Sequence, residues 1–94
     1  MEDNETLVLV GDGTLAQIAF EYFQHDSPYE VVAFAVEADH RERDSLFERP
    51  VIDFADMSNR FPPDEHDAFV ALAYNHLNRL RERLYEATKA KGYS

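Results

Sequence analysis

Short apolar runs alternate with longer amphipathic stretches along this chain. Thr6-Leu7-Val8-Leu9-Val10 is unbroken and ends at Gly11; its length and branched residues predict a strand buried on both faces, as in parallel sheets. Gly11-Asp12-Gly13-Thr14 reads as a tight turn. From Leu15 the period becomes helical, with Leu15, Ile18, Ala19 and Tyr22 forming an amphipathic stripe, and Asp26-Ser27-Pro28 ends it. Tyr29 to Val36 is a second strand, made apolar by Val31, Val32, Phe34 and Val36. The charged stretch from Glu37 to Asp44 has no period and predicts a surface loop with a turn of helix.

Arg49-Pro50-Val51-Ile52 predicts a short third strand, with Pro50 placing it at a sheet edge or a strand start. Asp53 is a candidate cap for a short helix through about Phe61, closed by Pro62-Pro63. Ala68 to Ala73 is another buried strand. Asn75 or Asn78 then opens a helix with Leu77, Leu80 and Leu84 on one face, running through Ala87 and Lys91 to Gly92. Strands alternating with helices define an α/β class: a small three-layer parallel sheet of about four strands with right-handed crossovers. The first strand is expected between the second and the last. The chain stops at Tyr93-Ser94, where a further strand is expected.

Composition narrows the function classes. The chain of 94 residues is 45% hydrophobic and 13% aromatic, enough for one domain with a core. It carries 19 acidic against 9 basic residues, a net charge of −10. That field repels nucleic acid, whose affinity comes mostly from Lys and Arg on phosphates, and disfavours an anionic membrane surface. The acids are spread along the chain, which fits an acidic solvated surface of the kind adapted to high salt. There is no cysteine, which excludes disulfides, thiolate chemistry and a Cys-ligated metal. No apolar run approaches the roughly 20 residues of a membrane span, and the acidic start is unlike a signal peptide, so a cytoplasmic protein is the expectation.

The candidate chemistry gathers at two loops. Gly11-Asp12-Gly13-Thr14-Leu15-Ala16 matches G-x-G-x-x-G/A between a strand and a helix. Gly11 permits the turn, Gly13 lets a ligand approach the backbone, and the free N–H groups of the helix start attract a phosphate. Asp12 would repel that phosphate unless it points away or caps the helix. Glu37, at the end of the second strand, is placed to accept hydrogen bonds from a ribose or a base edge. The second loop, Tyr74-Asn75-His76-Leu77-Asn78, lies at the carboxyl ends of the strands, where ligands of open α/β sheets bind. Tyr74, Asn75, His76 and Asn78 are its candidate contacts, with Arg79 or Arg81 available for a phosphate. His25, His40 and His66 read as surface residues without metal-site spacing, so no metal is expected. The tyrosines and phenylalanines read mostly as core, and no serine has the context of a nucleophile.

Several segments together resemble one family. They are Leu7 to Gly13, Val32-Ala33-Phe34, Phe47 to Val51, Phe61 to Glu65, Phe69 to Asn75, Leu80-Arg81 and Lys91-Gly92-Tyr93. In order and spacing they resemble the N-terminal domain of sugar O- or N-acyltransferases of the PglD/NeuD type, over nearly the whole chain. The resemblance implies a Rossmann-like domain, here residues 1–94, that holds a nucleotide-linked acceptor, usually a UDP-sugar. Gly11 and Gly13 match the family's phosphate turn, Glu37 its acidic residue, Asn75 and Arg81 its later asparagine and arginine. In such enzymes a β-helix domain follows, forms trimers, binds acetyl-CoA and carries the catalytic histidine. This chain would then bind acceptor without transferring an acyl group, have no cofactor of its own, and by itself be a monomer or weak oligomer. Thr14-Leu15 stands where the family often has Gly-His, and Ala33 and Ala73 replace frequent glycines. An NAD-type dinucleotide domain and a non-catalytic interaction module are the competing readings.

Overall fold

The computed structural model describes residues 5–72 and 79–93. Its elements are β1 (Thr6–Val10), α1 (Thr14–Asp26), β2 (Glu30–Val36), β3 (Ser45–Leu46), β4 (Arg49–Asp53), α2 (Met57–Arg60), β5 (Asp67–Val70) and α3 (Arg79–Ala90). The described residues form a five-stranded sheet in the order β3-β4-β2-β1-β5. β1, β2, β4 and β5 run parallel, and β3 is antiparallel to β4. The first strand thus lies between the second and the last, as the alternation of elements implies.

Burial on both faces of β1 comes from the two-residue period of a strand. Leu7 and Leu9 face α1 with Ala16, Phe20 and Phe34, whereas Val8 and Val10 face the opposite layer with Met57, Leu84 and Tyr93. The result is a three-layer, Rossmann-like α/β domain. A bulge interrupts β2: Leu7 pairs with Val31 and Val8 with Ala33, so Val32 is the additional residue. Side chains serve the peptide groups beside it. Val31 donates its N–H to Gln24 Oε1 at 2.7 Å, and its carbonyl accepts from Arg49 Nε at 2.7 Å.

Several expectations need correction. The sheet has one strand more than the pattern predicts, because Ser45–Leu46 (β3) forms a hairpin with β4. Its two turn residues, Phe47 and Glu48, have φ of 53° and 63°, a conformation usually signalled by glycine or asparagine. Phe47 is held there by stacking on Phe20, ring centroids 4.7 Å apart. β4 is therefore interior, and Pro50 is tolerated because pairing with β2 involves only Val51 to Asp53. The helical stripe of α1 is phased differently. Ala16, Ala19 and Phe20 are buried, while Leu15, Ile18 and Tyr22 are 38%, 60% and 54% exposed. Two stripes fit the same period, and the one with small Ala16 and stacking Phe20 allows closer contact with the sheet. Phe47, Phe69 and Tyr85 are likewise exposed rather than core. Asp53 makes no capping bond; it faces Arg41 Nε at 3.0 Å.

Tyr93 closes the second layer. It is buried, and its hydroxyl donates to the carbonyls of Met57, at 3.2 Å, and Phe61. Burial pushes its pKa up to about 12. An unfolded tyrosine titrates near about 10, so this contribution to stability is complete below that pH and lost as pH rises towards about 12. Melting temperature is expected to fall across that window, and less steeply in Tyr93→Phe, which should also lose about 1–3 kcal/mol at neutral pH through the orphaned carbonyls. An equally steep alkaline decline in the variant would contradict this assignment.

Candidate functional site

The sheet order reverses at β1, with β2 on one side and β5 on the other, and α1 and α3 lie on opposite faces. This switch point leaves a crevice at the carboxyl ends of the strands. The crevice has a volume of about 120 Å³ and is bordered by the glycine turn, the end of β2, Leu72 and Leu84. Gly11 N–H donates to Ala35 carbonyl at 2.8 Å, and Val10 carbonyl accepts from Ala71 N–H at 2.8 Å, so both neighbouring strands grip the turn.

The two glycines have different reasons to be glycine. Gly11 has φ +115°, and a Cβ there would lie 2.8 Å from the Ala71 carbonyl oxygen. The fold demands it. Gly13 has φ −86° and ψ −160°, open to any residue, and a Cβ would meet nothing within 4 Å. It is the N-cap of α1, with no side-chain capping bond and no acidic residue in the first turn. The helix therefore starts beside the crevice with its N-terminal N–H groups uncapped. Thr14 and Leu15 follow on the exposed surface of this turn.

Both carboxylates that line the crevice face an arginine. Asp12 Oδ2 lies 3.4 Å from Arg43 Nε. Glu37 accepts from Arg83 Nη1 at 2.8 Å and Nη2 at 2.9 Å. That hydrogen bonding holds the Glu37 carboxyl below its ordinary range and raises the Arg83 guanidinium. Glu37 is thus engaged by a protein partner, Arg83, that the sequence does not reveal. Its partner lies 46 positions away, and a helical arginine next to Glu82 and three residues from Glu86 reads locally as surface charge.

His40, expected as an unremarkable surface residue, is exposed but also borders the crevice. His66 is half-buried, with Nδ1 2.6 Å from Thr6 Oγ1, and His25 pairs with Glu21 on the surface of α1. Tyr74, Asn75, His76 and Asn78 lie outside the described residues, as does the side chain of Arg81. Beyond Glu37 a second crevice, of about 230 Å³, is lined by Glu37, Ala38, Asp39, Phe54 and Ala55. Among the described residues, no group of His, Asp and Glu could hold a metal ion, and no helix is long and apolar enough to cross a membrane.

Two solved structures of the acetyltransferase domain of PglB from Neisseria gonorrhoeae FA1090 are similar to this chain. The one in complex with acetyl coenzyme A is 28% identical, with a TM-score of 0.74 over 97% of this chain and 42% of that one. The other is 27% identical, with a TM-score of 0.75 over 96% of this chain and 42% of that one. The fold is acetyltransferase-related. This chain spans less than half the length of either structure. No family model and no curated relative matches it.

Proposed function

We propose that the crevice beside the β1–α1 turn binds the phosphate-bearing part of a nucleotide-linked sugar, a UDP-sugar, with residues 1–94 acting as the acceptor-binding unit of an acetyltransferase. The observation that carries this reading is Gly13. The fold gives no steric or conformational reason for glycine there, yet it leaves the backbone bare where uncapped N–H groups meet a crevice. A phosphate satisfies those N–H groups and the helix dipole together. Pairing of Asp12 and Glu37 with arginines allows an anion to approach despite the net charge of −10. The likeness to an acetyltransferase domain across nearly the whole chain supports a role in acyl transfer.

The acetyl coenzyme A is named for a structure of whose length this chain spans 42%. We therefore assign no acyl-transfer step to this chain; its part is to hold the acceptor.

Replacing Gly13 tests the reading with effects of opposite sign. The backbone is already in N-cap conformation, so Gly13→Asp should cap α1 and raise stability by a few tenths to about 1 kcal/mol. The new carboxylate would occupy the N–H groups that the phosphate needs. Calorimetric titration with UDP-N-acetylglucosamine is expected to detect binding to the wild type and at least about a tenfold loss in the variant. Equal affinity in a well-folded Gly13→Asp protein would refute the proposal.

A further inference from the structure

The Glu37–Arg83 pair joins the end of β2, where Glu37 borders the crevice, to α3, and it leaves the arginine half used. Contacts from Nη1 and Nη2 to the two carboxylate oxygens mean that the groups meet end-on. Such pairing takes one hydrogen from each Nη and leaves Nε–H, with the second hydrogen of one Nη, as a side-on fork. That fork matches two oxygens of a phosphate. Arg83 has no further partner among the described residues. Its side chain is 58% exposed against 26% for Glu37, so the cation is the member of the pair that meets solvent. The neighbouring Leu84 lines the same crevice as Gly13 and Glu37.

We propose that Arg83, held in place by Glu37, is a specificity-determining residue that receives the phosphates of the ligand and makes the crevice prefer a nucleoside diphosphate to an uncharged nucleoside. The inference rests on the reading that the crevice takes a nucleotide-linked sugar. Glu37 acts through Arg83 as a positioning residue, and the α1 N-terminus supplies the opposite side of the anion site. A purely structural cross-link between β2 and α3 would show no such selectivity.

The test compares the full chain with Arg83→Gln, Glu37→Gln and the double variant, titrated with UDP and with uridine at low and high salt and followed by amide shifts. Arg83→Gln should weaken UDP binding by about tenfold, narrow the UDP-to-uridine ratio and flatten the salt dependence, because a charge-assisted bidentate contact is lost. Arg83→Lys should recover part of the affinity, as a point charge without the fork. Glu37→Gln should weaken UDP binding by a smaller factor and add nothing in the Arg83→Gln background. Unchanged UDP affinity in Arg83→Gln overturns the inference, as does an equal loss for UDP and uridine. A further loss from Glu37→Gln in the double variant also overturns it, by putting Glu37 on the ligand. A wild type that binds neither UDP nor UDP-N-acetylglucosamine refutes the crevice reading itself, whereas binding that Arg83→Gln leaves intact removes Arg83 alone.

Discussion

Phe34→Ala is expected to lower the unfolding free energy by about 3–5 kcal/mol, much of the stability of a domain this small. Phe34 is fully buried on β2, the central strand of the sheet. Its ring lies 5.9 Å from that of Phe20 on α1 and 6.4 Å from that of Phe47 in the β3–β4 turn. One side chain therefore joins the sheet, the helix and the hairpin, and truncation opens a cavity that all three border. Phe34→Leu retains most of the volume and should cost much less. Urea unfolding reads both values; a loss below about 1 kcal/mol for the alanine variant would mean that the layer collapses onto the gap.

Gly11→Ala should lose about 2–4 kcal/mol, from a side chain forced to positive φ and from overpacking. The contact 3.0 Å from Leu72 Cδ2 can be relieved by rotating the leucine. The contact 2.8 Å from Ala71 oxygen cannot be relieved cheaply, because Ala71 N–H is bonded to Val10 on the adjoining strand. Relief requires moving β1 against the segment after β5, which distorts the turn. Thermal unfolding of Gly11→Ala should thus fall well below that of Gly13→Ala, for which space and φ are both available. Similar melting temperatures for the two would contradict the different roles assigned to these glycines.

The sheet was legible in the sequence wherever one period dominated. Thr6 to Val10 and Tyr29 to Val36 announce buried parallel strands, and the change of period after Gly13 places the crossover helix. The phase of that helix was not legible, because Leu15-Ile18-Ala19-Tyr22 and Ala16-Ala19-Phe20 both satisfy the helical repeat and share Ala19; only packing against Phe34 chooses between them. The β3–β4 hairpin was hidden because its turn uses Phe47 and Glu48, stabilised by a ring contact distant in sequence rather than by turn chemistry. At the site, the motif identified the glycine turn but not the different demands on its two glycines. Glu37 borders the crevice, as its place after β2 implies; its pairing with Arg83 becomes visible only once the fold has brought α3 beside it.

A titration of ¹⁵N-labelled protein with UDP-N-acetylglucosamine and, separately, with NAD tests the central claim most directly. The amides of Gly11, Gly13, Thr14 and Leu15, at the turn and helix start, are expected to shift with the UDP-sugar and not with NAD. Shifts with NAD alone, or no response to the UDP-sugar at these amides, would contradict it.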